Sequence, residues 1–526
     1  MRDIKRISLP TLGLLLALPF LGTAQKLVLE KTYEVDKKAK KGFLDEVTIN
    51  STDKTTTLSF VTKASNNFTG SKLSVKYQDY IFDKDYNFVK VEEKEAEYRN
   101  KRYKGDNYSV EGISVEPNML GKMVLRKKLI EYKWSWLNGG YNKKVTLLDK
   151  IKPKDEDGNS YMLIKKYEND ETGEVIALVM AVGKTANINE LFLMKIDKNL
   201  KMEVIDKSTF TTYKSLSKSF IIPAEVQSND DEATVNEEDI SESDMCFIFA
   251  GAPDKKNKDA ASSYEMWRVS KEGKILMKTE FKVQASAWNI ESVIAKNGSL
   301  YFVGPANDEP SSKAPDDIKW KYYQLAKFTK EKVDYITITN MDEFEAKLKK
   351  PASQKKNPAY KGKRFRFATA NVSNDGSLFI CGQNFKEAEF QDVLMFYFDN
   401  QGKLKAQYGV RLDEINSDSK ARATRQYIDI SGNAAYWTVL ELSGFRKESG
   451  NGESSAKALI YPSIAKIDLG SAEINEFVKI GTVKDKPTYF LQNKFPFITN
   501  PADNSLIYLG VDKRGDVMWF GKVAFE

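Results

Sequence analysis

Short apolar runs alternate with polar residues along most of the chain and come in pairs separated by a polar turn. Examples are YQDYIFD-KDYN-FVKVEE, LFLMKID-KNLK-MEVID and VLMFYFD-NQGK-LKAQYGV, and the turn centres lie near residues 85, 198, 272, 331, 401 and 470. Turn residues that tolerate positive φ, flanked by period-two alternation, are typical of β-hairpins. The pattern therefore predicts antiparallel hairpins recurring through the chain. Helix is scarce, and residues 341–350 are its best candidate.

A second pattern accompanies the hairpins. Apolar strands close on a glycine at Gly183, Gly251, Gly304, Gly382 and Gly510. Because these runs are almost continuously apolar, we expect them to be buried on both faces, while the charged hairpin arms lie at the edges of the sheets.

A unit of roughly 55 to 78 residues with four strands resembles a blade of the β-propeller architecture in general. No signature of a particular propeller family is present. The resemblance implies an all-β fold with a single propeller of seven, possibly eight, four-stranded blades. The segment at 26–35 has the pattern of the arm that the final strand lacks, so an N-terminal strand is expected to complete the last blade. A series of β-sandwiches is the alternative.

The chain divides into four kinds of segment. Residues 1–24 have the basic, apolar and small-residue regions of a signal peptide, and this predicts an exported protein, periplasmic or at the cell surface. Residues 25–526 form the propeller. Within it, 95–158 is an insertion or degenerate blade, 224–244 an acidic loop and 339–366 a basic insert.

The absence of histidine constrains the chemistry most. With no histidine among 526 residues, serine-histidine and cysteine-histidine nucleophile systems and imidazole metal sites are excluded. The two cysteines, Cys246 and Cys381, are predicted to be buried free thiols in separate units. A formal net charge of +7 is mild for this length, so it does not indicate a nucleic-acid partner.

The basic insert is the first candidate binding segment, because KLKKPASQKKNPAYKGKRFR holds nine basic residues and no acid. Such a segment is predicted either to bind an anionic glycan or an acidic protein surface, or to be a solvated loop. The candidate residues are Lys349, Lys350, Lys355, Lys356, Tyr360, Lys361, Lys363 and Arg364. The acidic run at 225–244 is predicted to be a solvated loop.

Two further candidates lie earlier in the chain. Trp134 and Trp136 are predicted to stack on a sugar ring, anchor a partner protein or belong to the core of a degenerate blade. Asp155, Asp157 and Asn159 resemble half of a calcium loop, although an ordinary Asp-Gly hairpin turn explains them equally. No other cofactor is predicted.

These features predict a non-catalytic binding or scaffolding propeller of the cell envelope, a monomer that contacts an envelope protein or anionic glycan through end-face loops. No transmembrane segment is expected in the mature chain. The alternative is a carboxylate-based glycan hydrolase or lyase with its site in the central channel.

Overall fold

The fold was obtained as a computed structural model. It describes residues 27–525, except 51, 67–72, 99–106, 136–139, 170, 224–242, 253–260, 330–331, 388, 412–419, 451–452, 485, 493–496 and 501–504. The predicted signal peptide and most of the acidic run lie outside the described residues. No described helix is long or apolar enough to cross a membrane.

The described residues form an all-β architecture of successive antiparallel sheets, consistent with a propeller-like fold. We number the sheets along the chain. Sheet 1 contains β2 (Phe43–Ile49), β3 (Thr56–Asn66), β4 (Leu73–Phe82) and β5 (Phe88–Tyr98). Sheet 2 contains β6 (Tyr108–Pro117), β7 (Met123–Ser135) and β8 (Gly140–Ile151). Sheet 3 contains β9 (Ser160–Glu168), β10 (Val175–Val182), β11 (Glu190–Ile196) and β12 (Met202–Thr209). Sheet 4 contains β13 (Lys214–Pro223), β14 (Ser243–Gly251), β15 (Ser263–Val269) and β16 (Ile275–Lys282).

The second half of the chain continues the series. Sheet 5 contains β17 (Ala287–Trp288), β18 (Ser292–Lys296), β19 (Ser299–Asn307), β20 (Tyr322–Phe328) and β21 (Val333–Asn340). Sheet 6 contains β22 (Leu348–Lys349), β23 (Phe365–Val372), β24 (Leu378–Lys386), β25 (Glu389–Phe398) and β26 (Leu404–Val410), in the spatial order β22-β26-β25-β24-β23. Sheet 7 contains β27 (Gln426–Ser431), β28 (Ala434–Gly450), β29 (Glu453–Asp468) and β30 (Val478–Lys479). A small ribbon follows, of β31 (Thr482–Val483) and β32 (Lys486–Pro487).

Sheet 8 combines the two ends of the chain. It contains β1 (Leu27–Glu34), β33 (Tyr489–Leu491), β34 (Phe497–Asn500), β35 (Ser505–Asp512) and β36 (Val517–Ala524). Strand β1 pairs antiparallel with β36, from Leu27 opposite Val523 to Glu34 opposite Val517. The Trp519 indole N–H donates to the Glu30 carboxylate at 2.8 Å. The predicted pairing of the N-terminal strand with the last strand is therefore confirmed.

The apolar core lies between the sheets. Seven clusters of buried side chains each join two neighbours, in the spatial order of sheets 2, 3, 4, 5, 6, 7, 8 and 1. The glycine-terminated strands β10, β14, β19, β24 and β35 supply much of this core and are buried on both faces, as predicted. A four-stranded sheet cannot bury both faces alone, so the stacking of sheets provides most of the apolar burial.

The polar turns adopt the conformation that the hairpins need. Asp83, Asp197 and Asp399 each begin a turn and accept hydrogen bonds from the backbone N–H groups two and four residues later. The residue three positions on has a positive φ, for example 74° at Gly402. An aspartate followed by a left-handed residue lets the chain reverse while both strands stay in register.

The structure refines the predictions for the segment 95–158 and for the helices. The segment 95–158 contributes sheet 2, and its Val115, Met123 and Leu125 pack against sheet 3. The predicted helix is shorter than expected. Helix α2 covers Met341–Ala346 and ends where β22 begins to pair with β26, because that pairing needs extended backbone. A second short helix, α1 (Lys37–Lys40), follows β1.

Cys246 and Cys381 are buried free thiols in sheets 4 and 6, as predicted.

Candidate functional site

The basic insert forms an ordered connection across one end of sheet 6. Residues 350–364, which we call the strap, link the edge strand β22 to the opposite edge strand β23. The Lys350 ammonium donates to the Asn357 side chain at 2.7 Å and to the carbonyls of Lys355 and Lys356. These bonds therefore close residues 350–357 of the strap into a compact loop.

The strap is anchored between sheets 5 and 6 by its middle residues. Tyr360 is 1% exposed and packs edge-on against Tyr323, with the ring centroids 6.4 Å apart. The Tyr360 backbone N–H donates to the Gln407 side chain at 2.9 Å. The Pro358 carbonyl lies so close to Gly409 that a β-carbon there would be 2.1 Å away from it. A glycine in β26 is thus required for the strap to lie against the sheet.

A cavity of about 480 Å³ lies between the strap and sheet 7. Four of its lining side chains are basic, Lys355, Lys356, Arg411 and Lys479, and two are acidic, Glu441 and Glu476. The remaining lining residues include Val410 and Phe477, whose ring packs edge-on to that of Trp437 with centroids 5.4 Å apart. The cavity therefore has an apolar wall and an excess of positive charge.

Both acidic side chains of the cavity accept hydrogen bonds from neighbouring groups. Glu441 is 9% exposed and accepts from the Tyr461 hydroxyl at 2.8 Å and from the Ser463 hydroxyl. Glu476 accepts from the Ser353 backbone N–H at 2.7 Å, which ties the strap to sheet 7. These bonds hold the two carboxylates in place, and the four basic side chains outnumber them, so the lining has a net positive charge.

Asp392 lies near the start of β25 and is partly buried. Burial raises the pKa of its carboxyl, while the positive charges of Arg411 and Lys356 act in the opposite direction. The carboxyl is thus held protonated to a higher pH than an exposed aspartate.

The sequence-predicted residues divide into two sets. Lys355 and Lys356 line the cavity. The others have structural contacts. Lys349 pairs with Glu473, Lys361 with Glu345 at 3.6 Å and Arg364 with Asp317 at 3.9 Å, while Lys363 is exposed away from the cavity lining. Tyr360 is core, so its predicted role in binding is not supported.

The aromatic and calcium candidates lie elsewhere. The backbone of Trp134 pairs with Tyr141 in sheet 2, and Trp136 lies outside the described residues. At the turn before β9, the Asp155 carboxylate accepts from the Asn159 backbone N–H at 2.7 Å and side-chain amide at 3.0 Å. The Asp157 side chain is exposed. These contacts are those of a hairpin turn. In the described part of the chain, no three His, Cys, Asp or Glu side chains are grouped to hold a metal ion.

Six cavity residues outside the strap were not predicted: Val410, Arg411, Glu441, Glu476, Phe477 and Lys479. They lie at the end of β26, in β28, and in or just before β30, so the packing of sheet 7 on sheet 6 brings them together. A single basic residue after a strand, such as Arg411, has no sequence pattern that indicates a binding site. Only the spatial order of the sheets could have identified such a residue as part of the cavity.

A second acid with a raised pKa, Glu291, lies in the connection between β17 and β18 of sheet 5. Burial raises the pKa of Glu291 to about 8, Lys218 opposes the shift and Asp316 adds to it. Glu291 is partly exposed as a residue, but its Oε2 atom is buried, as is the Tyr323 hydroxyl. Neither atom has a hydrogen-bond partner within the described ranges. A buried carboxyl in such surroundings prefers the neutral form.

Comparison with known proteins gives structural neighbours only. No family model and no curated protein matches the chain. A mutant Synechocystis apocarotenoid oxygenase matches at 10% identity with a TM-score of 0.25, covering 79% of this chain and 92% of that one. Its cobalt-substituted form gives the same values. A member of the duf4221 family from Bacteroides vulgatus matches at 11% identity with a TM-score of 0.24, covering 71% of this chain and 95% of that one.

The comparison contradicts the function predicted from the sequence. The neighbours are an oxygenase and a duf4221 protein, and neither is described as an envelope scaffold or as an enzyme that cleaves glycans. The predicted non-catalytic scaffolding propeller and its hydrolase or lyase alternative are therefore wrong. The TM-scores lie below 0.5, so no activity is transferred to this chain from these neighbours either.

Proposed function

We propose that the chain binds a small organic or inorganic anion in the cavity between the strap and sheet 7. The observation that carries this proposal is the cavity lining, with four basic side chains against two acids whose carboxylates accept hydrogen bonds. The volume of about 480 Å³ falls in the range of about 300 to 1,000 Å³ that small-molecule sites occupy. The ligand is therefore a compound with one or two carboxylate, phosphate or sulfate groups.

The lining supports an anion for a further reason. Phe477 and Val410 provide an apolar wall beside the charges, which reduces the access of water and strengthens the attraction between ligand and protein. Lys355 and Lys356 are exposed residues of the strap, so their contribution is expected to weaken as salt is added.

The test is calorimetric titration of the full chain with sulfate, inorganic phosphate and succinate. Neutralising both strap lysines, as Lys355→Gln with Lys356→Gln, should weaken binding by at least about tenfold, or about 1.4 kcal/mol. The matched control neutralises Lys361 and Lys363, exposed residues of the same strap that do not line the cavity. The proposal fails if no probe binds saturably, or if both double variants lose affinity equally.

We also propose that the eight sheets form one ring, with sheet 2 as a degenerate blade and sheets 1 and 2 as the closing pair. The seven successive apolar clusters and the pairing of β1 with β36 support this arrangement. The finer prediction of seven blades would make sheet 2 an insertion. Crosslinking between cysteines introduced on the facing strands of sheets 1 and 2 distinguishes the two arrangements. A crosslink is expected if the eight sheets form one ring, and none if sheet 2 is an insertion.

The third proposal concerns the compartment in which the protein binds its ligand. The basic, apolar and small-residue pattern of residues 1–24 supports export, so the anion would be periplasmic or extracellular. Fractionation of expressing cells tests this, because a protein that stays with cytoplasmic markers and keeps its first residues would refute it.

A further inference from the structure

Glu441 is the most deeply buried charged side chain among the residues that line the cavity. It lies in β28 and is 9% exposed, whereas the strap lysines and Glu476 are exposed. One carboxylate oxygen accepts from the Tyr461 hydroxyl at 2.8 Å, and the other accepts from the Ser463 hydroxyl. Each carboxylate oxygen has two lone pairs, so each can accept from one further donor. Glu441 therefore retains the capacity to bind a donor group of a ligand.

The Glu441 carboxylate has no direct counter-ion among the described residues. Its contacts there are the two hydroxyl donors, and no lysine or arginine nitrogen lies within ion-pair distance of it. Lys479 approaches from β30, where it pairs with Ser463, but its ammonium lies over the Tyr461 ring, 5.9 Å from the ring centroid. Because burying a carboxylate without a paired cation is costly, a cation that enters the cavity is stabilised beside Glu441.

The strap supplies positive charge on a different wall of the cavity. Lys355 and Lys356 line it from the strap, and within the described ranges no carboxylate lies within ion-pair distance of either ammonium group. Their backbone carbonyls accept from the Lys350 ammonium, which fixes the backbone that carries them. Glu441 belongs to sheet 7, on the other side of the cavity. The cavity thus presents cations on one wall and a buried carboxylate on another.

We propose that the ligand is an aminocarboxylate, whose anionic group binds Lys355 and Lys356 and whose ammonium group binds Glu441. The inference rests on the proposed function of the cavity and specifies the class of anion. Val410 and Phe477 supply apolar surface for the carbon chain between the two charges. A dianion of the same length would bring its second negative charge towards Glu441, where like charges repel.

Glu441 determines specificity in this arrangement, because removal of its charge has opposite effects on two kinds of ligand. An aminocarboxylate loses its ion pair and binds more weakly. A simple anion such as sulfate loses a repulsion and binds equally or more tightly. A substitution that only damaged the fold would weaken the binding of both.

The experiment is calorimetric titration of wild type, Glu441→Gln and Glu389→Gln at neutral pH, where amines are charged and carboxylates ionised. The probes are glycine, γ-aminobutyrate and ε-aminocaproate, each compared with the carboxylate of the same chain length, which is acetate, butyrate or caproate. Sulfate is the simple anion. Glu389 is the matched control, since it is an exposed carboxylate of β25 that pairs with Lys420 at 3.8 Å and does not line the cavity.

We expect at least one aminocarboxylate to bind wild type at least about tenfold more tightly than its matched carboxylate, as a hydrogen bond between charged groups provides. In Glu441→Gln this preference should fall to about threefold or less, or about 0.7 kcal/mol. The same variant should bind sulfate as tightly as wild type or more tightly. Glu389→Gln should follow the wild type with every probe.

The outcomes separate this inference from the proposed function. Sulfate binding by wild type without a preference for any aminocarboxylate overturns the inference and leaves the cavity as an anion site. A preference that Glu441→Gln retains also overturns it, because the ammonium would then bind elsewhere. If no probe of either kind binds, the proposed function fails and this inference fails with it. The matched ligands are compared on wild type, so the inference stays decidable if Glu441→Gln does not fold.

Discussion

Replacing Glu291 with glutamine is expected to stabilise the fold at neutral and alkaline pH. This residue lies between β17 and β18 of sheet 5, with its Oε2 atom buried, and burial raises the pKa of its carboxyl group from 4.5 to about 8. Between these two pH values the folded chain keeps the proton and the unfolded chain releases it. Raising the pH over this window therefore favours unfolding, and stability falls with pH.

The magnitude follows from the two pKa values. At about 1.4 kcal/mol for each pKa unit, ionisation of Glu291 costs up to about 5 kcal/mol of unfolding free energy above pH 8 and about 3 kcal/mol at pH 7. Below pH 4.5 it costs nothing, because both states are protonated. Glu291 retains some contact with solvent, so we expect a measured gain of about 2 to 3 kcal/mol for Glu291→Gln at pH 8.

The assay is urea denaturation of wild type and Glu291→Gln at intervals from about pH 5 to about pH 9. Glutamine keeps the shape of the neutral acid and cannot ionise, so the two curves should converge at the acid end and separate as the pH rises. The control variant is Glu309→Gln, which removes an exposed carboxylate from the loop after β19.

Two results would refute the reasoning. One is a Glu291→Gln protein that is no more stable than wild type at pH 8. The other is a difference between the two proteins that stays constant over the whole pH range, since a constant difference reports packing and not ionisation. Either result would mean that the carboxyl reaches enough water to ionise at its ordinary pKa.

Three further predictions concern the strap and the core. Gly409→Ala places a β-carbon 2.1 Å from a strap carbonyl and should weaken sulfate binding severalfold. The control is Gly112→Ala, at a strand glycine with nothing within 4 Å, which should leave the affinity unchanged. Equal affinities of the two variants would contradict the packing of the strap against β26. Tyr360→Ala removes a fully buried side chain and should lower the unfolding free energy by about 3 to 5 kcal/mol. Urea denaturation measures this loss, and a loss below about 1 kcal/mol would show that the ring does not belong to the core. Cys246 and Cys381 are 0% exposed, and burial raises the pKa of both thiols. Thiol reagents should therefore label them only as fast as the protein unfolds. Rapid labelling of the native protein would contradict their burial.

The hairpins were predictable because their signal is local. An aspartate such as Asp399, followed three residues later by Gly402, specifies a turn through bonds within five residues. The glycine-terminated strands were predictable for a related reason, since burial on both faces requires an almost continuous apolar run. The pairing of β1 with β36 was predictable because each end of the chain lacked one strand of a repeating unit.

The cavity was only half predictable. Lys355 and Lys356 stand out in a run of basic residues, but Arg411 and Lys479 do not, and their proximity depends on the order in which sheets 6 and 7 stack. Tyr360 was misread for the opposite reason. The sequence around it is rich in exposed basic residues such as Lys356 and Lys361, whereas its ring is buried by the aromatic side chains of two sheets. Strap residues alternate between solvent and core over a few positions, and no period reveals this.

The joining of β1 to β36 determines how the molecule responds to mechanical force. Leu27 faces Val523, so β1 begins beside the point where β36 finishes. Tension applied to the two chain ends would act across the ladder at this edge and open it one bonded pair at a time, starting at Leu27. Such peeling needs far less force than sliding two strands past each other. In a pulling experiment the release of β1 should therefore be the first event.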